Sequence, residues 1–305
     1  MDITVQICSR NRKDLLKRAL EALFVQTYPF DKFEIIIVDD GSEDGTSEMV
    51  KELVEKSPCS LVLITQPHSG LAVGRNAAIR KATGEIIIFI DDDIIADPNF
   101  VEEHKKSHDK HPKSIIRGWV NHTANLDKRV PKFTMADIST SYFWTSNVSV
   151  AKKYLVEVGL FDEDFKEYGW EDLELGRRLK KCGLIRRYNN KALVFHYKGH
   201  WKKKDIPRLI EQAKAKARTA IVFIEKDKAL KVRLSTAVYA PRLWLNKMMN
   251  WHDKGIVFCE KVLRKVKDDE AQLKGIELIC AQNLVSFNYF KEIESALKKK
   301  KTVSK

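Results

Sequence analysis

Three consecutive carboxylates, Asp91, Asp92 and Asp93, follow directly after the apolar run IIIFI at residues 86–90. Carboxylates this close repel one another strongly unless a cation lies among them. A hard divalent ion such as Mg²⁺ or Mn²⁺ removes that repulsion and can bridge to phosphate oxygens. The pattern therefore predicts a divalent-cation site for a phosphate-bearing ligand, with a solvated loop after a strand as the alternative.

A second acidic pair, Asp39 and Asp40, ends the apolar run FEIIIV at residues 33–38 and precedes Gly41. Glycine permits close approach of a ligand to the backbone, and the carboxylates could accept hydrogen bonds from a ring N–H or a hydroxyl group. The same residues could instead form a turn that caps the next helix. The pattern alone favours neither interpretation.

Trp170, Glu171 and Asp172 precede a helical pattern that begins at Leu173. Carboxylates at this position commonly cap a helix and stabilise it by up to about 1 kcal/mol. The functional interpretation is a general base beside an aromatic platform for a sugar or a nucleobase. Taken alone, the pattern favours capping.

Arg75 and His196 are candidates because of the segments that carry them. Arg75 lies in GLAVGRNAAI, after a flexible loop, where it could bind a phosphate or form a surface ion pair. His196 ends a strand pattern in VFHYKGH, and it would join a Mn²⁺ site only if the fold brings it to Asp93. His200 is the alternative histidine ligand.

The elements that must position these residues alternate between strand and helix over the first hundred residues. Apolar strand patterns at 3–8, 33–38, 60–65 and 86–90 are separated by helical patterns, the last of which spans residues 71–82. Alternation at this spacing predicts βαβ units and a mostly parallel sheet flanked by helices. Ligands of such sheets bind beyond the carboxyl ends of the strands, which is where both acidic clusters lie.

The rest of the chain changes character near residue 205. Between 101 and 200 the patterns predict helices at 101–111 and 171–181 and strands at 115–121 and 191–196. Beyond the boundary only helical patterns follow, at 206–226, at 227–249 and in two more helices to Leu297. We therefore predict an α/β domain at 1–205, a helical region at 206–297 and a disordered lysine-rich tail at 298–305.

The net charge of +13 is concentrated in the last third of the chain. Residues 1–100 hold 11 basic and 17 acidic side chains, whereas residues 201–305 hold 25 basic and 12 acidic ones. This asymmetry indicates an anionic partner, such as lipid head groups or a charged polymer, or else a solvated basic surface. The sequence shows no nucleic-acid recognition motif, so we do not expect nucleic acid as the partner.

The five cysteines are scattered and form no CxxC pair, which indicates a reducing compartment. The first residues show no basic segment followed by an apolar one, and no apolar run approaches the roughly 18 residues of a membrane span. We therefore expect a cytoplasmic protein, either free or peripheral on the inner face of the cell membrane.

The ordered segments ICSRNR, VDDGSEDGT, HSGLAVGRNAAIRKATGEIIIFIDDD, TSNVSVAKK and GLFDEDFKEYGWEDLELGRRL together resemble the inverting family 2 glycosyltransferases. The resemblance covers residues 1–200 and implies the GT-A fold, a Rossmann-like, mostly parallel sheet flanked by helices. It also implies transfer of a sugar from a nucleotide-diphosphate donor, a UDP-sugar by analogy, to a hydroxyl of a glycan or of a lipid-linked acceptor.

The resemblance also implies roles for the donor-side residues. The pair Asp39 and Asp40 would bind the nucleotide, with Asp40 on the base, and Arg75 would approach the nucleotide or its pyrophosphate. Asp91 and Asp92 would face the ribose. The metal ligands would be Asp93 and His196, holding Mn²⁺ or Mg²⁺ against the diphosphate.

On the acceptor side, the resemblance makes Asp172 the catalytic base and Glu171 a residue that binds the acceptor or orients the site. Trp170 would stack on a sugar face, because the GWED segment is similar to that of galactosyl- and N-acetylgalactosaminyltransferases. The implied mechanism is a single inverting displacement without a covalent sugar–enzyme species.

Two other functions compete with this one. A nucleotidyltransferase that makes nucleotide sugars would share the sheet and the aspartates, but it usually has a glycine-rich loop where this chain reads CSRNRKD. A non-enzymatic module that binds membranes or polyanions would explain the basic last third. P-loop, dinucleotide-binding and nucleophile-elbow motifs are absent from the sequence.

Overall fold

The computed structural model describes residues 1–127, 129–133, 141–249 and 254–303, with the backbone alone for Met249 and residues 299–303. The chain divides into two compact units. The first unit comprises Met1–Lys166 and Glu171–Gly199, and the second comprises Glu167–Trp170 and His200–Lys305. A short insert just before the GWED carboxylates thus belongs to the second unit, and the domain boundary at 205 stays a prediction.

Within the described residues, the first unit holds one eight-stranded sheet in the order β3-β2-β1-β4-β7-β6-β8-β5. The strands are β1 Ile3–Ser9, β2 Phe33–Asp39, β3 Ser60–Thr65, β4 Ile86–Phe89, β5 Ile94–Ala96, β6 Ser114–Thr123, β7 Val148–Ala151 and β8 Ile185–Tyr197. Neighbours are parallel from β3 to β4 and between β6 and β8, whereas β7 runs antiparallel to β4 and β6, and β5 antiparallel to β8. The mostly parallel sheet is confirmed.

Six described helices flank this sheet: α1 Lys13–Leu23, α2 Thr46–Val54, α3 Leu71–Lys81, α4 Phe100–Lys110, α5 Lys152–Glu157 and α6 Glu171–Lys181. In α1 the buried residues are Leu16, Ala19, Leu20 and Leu23, the spacing of one helix face. That face packs on the strands, so helical periodicity in the sequence translates directly into a sheet covered by helices.

The interior strand β2, between β3 and β1, is buried at all seven positions, which explains why its sequence is a continuous apolar run. Its register pairs Asp39 with Ser9 of β1 and with Thr65 of β3. The parallel strands therefore end along a common edge. The loops that leave this edge carry the acidic residues singled out in the sequence.

The sequence patterns missed parts of the sheet beyond β4. Neither β5 nor β7 was predicted, because each has only three or four residues and no room for a periodic pattern. For β8 only residues 191–196 were predicted, since the preceding stretch IRRYNN is mostly exposed and polar. Pairing with β6, rather than an apolar face, defines the first half of that strand.

The second unit is helical: after a 3₁₀ turn at Lys203–Asp205 come α7 Ile206–Lys226, α8 Leu230–Ser235, α9 Ala240–Met249, α10 Lys254–Arg264 and α11 Gly275–Val303. The single helix predicted at 227–249 is wrong. Asp227 has extended backbone angles and Ala237 has a φ of 57°, so the chain turns before and after α8. Pro241 then lies in the first turn of α9, where its missing N–H costs no helical hydrogen bond.

The last helix includes residues 298–303, for which the sequence predicted disorder, and Ser304 and Lys305 lie outside the described residues. Two apolar clusters hold this unit together. One joins Leu273 and Cys280 to Cys259 and Leu263, and the other places Ile293 against α7. None of the described helices is long and apolar enough to cross a membrane.

Candidate active site

The acidic triplet follows β4 at the edge where the parallel strands end, and its middle residue is buried among donors. Asp92 accepts hydrogen bonds from the Ser9 hydroxyl at 2.8 Å and from the Arg12 guanidinium at 2.7 Å. The other arm of Arg12 donates to Asp93 at 2.9 Å. Burial raises the pKa of Asp92 to about 7, because the nearby Asp93 charge adds to desolvation and Arg12 offsets only part of both.

Asp91, Asp93 and His196 form the group that could hold a metal ion: one ligand atom from each lies within 4.8 Å of the others. Strand β5 makes this possible, because Ile94 pairs with His196 of β8 and so brings the imidazole back to the residue after the triplet. His196 Nε2 lies 3.1 Å from Asp93 Oδ1. The condition that the sequence set for His196, convergence with Asp93, is met in the structure.

Two buried atoms of this group, Asp93 Oδ1 and His196 Nδ1, make no hydrogen bond of good geometry among the described residues, although Asp93 Oδ1 lies 3.1 Å from His196 Nε2. An orphaned carboxylate oxygen beside an imidazole and a second carboxylate fits a divalent cation. Burial opposes the charge of Asp93, but His196 and Arg12 outweigh it and hold the Asp93 pKa below its ordinary value. His200, the alternative ligand, belongs to the second unit.

Asp40 orders the loop that follows β3. Its carboxylate accepts hydrogen bonds from the Gln66 side chain at 2.7 Å and from the N–H groups of Ser69 and Gly70 at 2.8 and 3.0 Å, and it lies 2.7 Å from His68 Nδ1. Although burial alone would raise the pKa of Asp40, these bonds lower it. The carboxylate is therefore ionised and fully engaged by the loop.

Asp39 supports the neighbouring turn. It accepts a hydrogen bond from the Ser42 N–H at 2.9 Å and another from the Ser47 hydroxyl in the first turn of α2. Gly41, between these contacts, has a φ of 79°, and a Cβ there would lie 2.8 Å from the His68 backbone nitrogen. The turn interpretation thus accounts for the contacts of Asp39, but neither aspartate caps the next helix, because the N-cap of α2 is Gly45 without a side-chain cap. The nucleotide-binding role of the pair stays a prediction.

Arg75 connects the acidic edge to the start of α6. This residue of α3 is buried, and its guanidinium donates to Glu171 at 2.6 Å and to the Thr145 hydroxyl at 2.9 Å. It also lies 3.9 Å from Asp91 and 5.3 Å from the ring centre of Phe161. A buried cation shared by two carboxylates contradicts the surface-ion-pair alternative for Arg75.

Asp172 is half-buried in the first turn of α6, where one of its oxygens accepts the Leu173 N–H at 2.7 Å. Desolvation, reinforced by the charge of Glu171, raises the pKa of Asp172 to about 7, and Arg75 offsets only part of that rise. A carboxyl that exchanges its proton near neutral pH has the property expected of a general base.

Trp170 directly precedes these carboxylates and packs within the second unit. Its indole N–H donates to the Lys216 carbonyl at 2.9 Å, and the Lys216 ammonium lies 4.6 Å from the ring centre. Its φ of 73° is unusual for a residue with a side chain, so the indole is held against α7 at some cost in backbone strain. Stacking of Trp170 on a sugar stays a prediction.

The model of glycosyl transferase family 2 matches residues 4–158, which include both acidic clusters and Arg75. The chain belongs to this family. It is similar to the uncharacterized glycosyltransferase YfnE of Bacillus subtilis, with 29% identity over 64% of each chain. It is also 30% identical to validoxylamine A glucosyltransferase of Streptomyces hygroscopicus over 60% of this chain and 52% of that protein. The chain thus spans between half and two-thirds of these relatives.

Solved structures agree on the fold of this family 2 member. A mannosyltransferase from Pyrobaculum calidifontis, in complex with GDP-Man and Mn²⁺, superposes with a TM-score of 0.62 at 17% identity, over 96% of this chain and 86% of that one. TarS of S. aureus, in complex with UDP, gives a TM-score of 0.54 at 17% identity, over 98% and 92% of the two chains. The fold is GT-A, as the resemblance implied, followed by a helical region.

Sequence reasoning missed several residues of this family 2 site. Ser9 ends β1 and Arg12 directly precedes α1, Ser146 donates to Asp91 at 2.5 Å, and the Thr145 hydroxyl accepts from Arg75. His122, the register partner of His196, places its ring 5.2 Å from that imidazole. Arg12 and Ser146 lay in segments that carried the family resemblance, ICSRNR and TSNVSV, so those quoted motifs were the available signal.

Proposed function

We propose that this protein is an inverting glycosyltransferase that moves a sugar from a nucleotide-diphosphate donor, a UDP-sugar, to a hydroxyl of a glycan or lipid-linked acceptor. The observation that carries the proposal is that Arg75 links a metal-type group, Asp91, Asp93 and His196, to the start of α6. It lies 3.9 Å from Asp91 and 2.6 Å from Glu171, whose neighbour Asp172 is a carboxyl of raised pKa. The family match favours this activity over nucleotidyl transfer.

The donor side is the acidic edge of the sheet. Asp91, Asp93 and His196 would hold Mn²⁺ or Mg²⁺, and Asp92 would lie beside the ribose. When bound, such an ion neutralises the charge that develops on the departing diphosphate. The structures of the mannosyltransferase with GDP-Man and Mn²⁺ and of TarS with UDP support a nucleotide donor, and the second supports the uracil base.

The acceptor side is the start of α6. The Asp172 carboxylate takes the proton of an acceptor hydroxyl as that oxygen forms a bond to the anomeric carbon. The bond between the anomeric carbon and the diphosphate oxygen breaks at the same time, and its electron pair leaves with the nucleoside diphosphate. One displacement inverts the anomeric configuration, so no sugar becomes attached to the enzyme. Glu171, fixed by Arg75, orients the acceptor, and Trp170 stacks on a sugar face.

The acceptor class is proposed from the names of the relatives. Chondroitin synthase of Escherichia coli is 26% identical over 68% of this chain and 36% of that protein, and hyaluronan synthase of Pasteurella multocida is 25% identical over a similar share of this chain. Both names denote polysaccharide synthesis, which supports a glycan acceptor. A cytoplasmic location at the inner membrane face fits the lipid-linked alternative.

A thermal-shift screen tests the donor site. Nucleotide sugars are added with Mn²⁺ or Mg²⁺ to the wild-type chain, to Asp93→Asn and to the control Asp164→Asn, which changes an exposed carboxylate. A ligand at a hundredfold excess over its Kd raises the free energy of unfolding by about 2.7 kcal/mol. We expect a metal-dependent shift with one donor, retained in the control and lost in Asp93→Asn. No shift with any nucleotide sugar would contradict the proposal.

A further inference from the structure

Helix α10 in the second unit packs by one face only. Its buried residues are Ile256, Cys259 and Leu263, spaced as one helical stripe, and two of them join Cys280 of α11 in an apolar cluster. The opposite face of a surface helix normally carries polar side chains alone. In α10 it does not.

We define the α10 outer face as the exposed residues at positions i, i+3, i+4, i+7, i+10 and i+11: Lys254, Val257, Phe258, Lys261, Arg264 and Lys265. Val257 is 46% exposed and Phe258 is 54% exposed. Four cations surround this apolar pair, and no acidic residue occupies any of the six positions. Within α10 the one acidic residue is Glu260, which lies 3.7 Å from Arg264, itself 79% exposed.

The preceding helix repeats the pattern. Pro241, Trp244 and Met248 of α9 are exposed at positions i, i+3 and i+7, so they form one stripe of solvent-facing apolar side chains, with Lys247 beside it. Leu243 of the same helix packs into the apolar cluster around Ile293, which shows that α9 already satisfies its own packing with another face.

We propose that the α10 outer face docks the second unit on an anionic lipid bilayer. The charge identifies a negatively charged partner, and the exposed Phe258 and Val257 identify one that also offers an apolar interior. Basic side chains around inserted aromatic and aliphatic ones are the pattern of helices that lie in the membrane interface. A hydrated polyanion would use the cations but would leave Phe258 in water. The α9 stripe adds a second insertion element of the same kind.

The proposal does not depend on the sugar-transfer reaction. The variants below change only exposed residues outside those assigned to the donor and acceptor sites. Donor-induced thermal shifts should therefore be the same in all of them. A protein that binds vesicles but no nucleotide sugar would keep this inference and lose the proposed function, and the reverse result would do the opposite.

The test is co-sedimentation of the full chain with phosphatidylcholine vesicles that contain or lack phosphatidylglycerol, at low and high salt. We expect binding to the anionic vesicles only, weakened by salt. The triple change Lys261→Gln, Arg264→Gln and Lys265→Gln should weaken it by on the order of a hundredfold, since each basic side chain near an anionic surface contributes about fivefold. A matched control, Lys17→Gln, Lys51→Gln and Lys56→Gln, removes the same charge from exposed lysines of the first unit.

Four results would overturn the proposal. The first is a wild-type chain that stays in the supernatant with anionic vesicles at low salt. The second is a control triple that loses as much binding as the α10 triple, which would reduce the effect to net charge. Phe258→Ser should weaken vesicle binding but leave binding to dextran sulfate unchanged. The third result is equal binding of the wild type and Phe258→Ser to vesicles, which would identify a polyanion site. The fourth is a wild-type dimer that Phe258→Ser dissociates, which would identify an interface between copies.

Discussion

The pH dependence of Asp172 gives the most direct test of the proposed chemistry. Burial and the neighbouring Glu171 raise the pKa of this carboxyl from 3.8 to about 7. A rise of about three units corresponds to about 4 kcal/mol in favour of the protonated form. The same desolvation makes the ionised form a much stronger base than a carboxylate in water, so the proposed reaction at neutral pH would use a half-populated but reactive state.

We therefore expect kcat/KM to rise tenfold per pH unit below about pH 7 and to level off above it. At pH 6 the ionised fraction of Asp172 is about one-tenth, and the rate should fall by the same factor. The assay is release of nucleoside diphosphate from the donor identified by thermal shift, measured from pH 5 to 9 at a subsaturating acceptor concentration. An inflection near pH 4 would refute the assignment, because it would mean that burial does not act on the base.

Two substitutions distinguish the role of Asp172 itself from the effect of the neighbouring Glu171 charge on its pKa. Asp172→Asn should lower kcat by about 10²- to 10⁴-fold, remove the inflection near pH 7 and leave the donor-induced thermal shift unchanged. Glu171→Gln removes the charge that raises the Asp172 pKa, so the inflection should move to lower pH. Asp164→Asn, the exposed control, should keep the wild-type profile. Full activity of Asp172→Asn would end the proposal for this residue.

Four further predictions follow from other parts of the first unit. Burial lowers the pKa of His104 to about 3 and of His108 to about 4. As the pH falls below 6.5, the unfolded chain therefore takes up protons on these histidines before the folded chain does. At pH 5 the free energy of unfolding, measured by urea titration, should be lower by about 2 kcal/mol per histidine. Hydrogen bonds from Thr4 and from the Thr83 N–H outweigh the effect of burial and lower the pKa of Glu34. Glu34→Gln should therefore lower the free energy of unfolding by about 1 to 3 kcal/mol at pH 7 and by progressively less in acid. Asp93→Asn should weaken Mn²⁺ binding at least tenfold by titration calorimetry, since it removes a charged candidate ligand. Arg12→Gln should lower the melting temperature of the metal-free protein and enlarge the rise that Mn²⁺ produces, because the ion replaces the lost cation between Asp92 and Asp93.

The parts of the site that could be predicted from sequence are those that depend on local order along the chain. The triplet at Asp91 had to lie at the sheet edge because a buried strand ends directly before it. The pair at Asp39 and Asp40 had to lie there for the same reason. Parallel packing of β1, β2 and β4 then required no further information, since sequential βαβ units place these ends together.

The remaining parts depend on pairings that no local pattern encodes. His196 reaches the acidic edge because β5, three residues long, pairs with β8 almost a hundred residues later. Arg12 is another case. Its guanidinium contacts Asp92 and Asp93 about eighty positions away, and only the family motif ICSRNR, not a local structural pattern, singles it out. The roles of Asp39 and Asp40 stayed open because capping a loop and binding a ligand require the same residues at the same spacing.

Arg75 gives the two adjacent carboxylates at the start of α6 different surroundings. Its buried guanidinium lies 2.6 Å from Glu171, and each of the two side chains is only 5% exposed. Asp172 forms no ion pair with any residue that the structure describes. Because Arg75 is already paired with Glu171, it offsets only part of the burial that raises the pKa of Asp172. We propose that Asp172, the second carboxylate of the pair, takes the proton, because the first is already paired with Arg75.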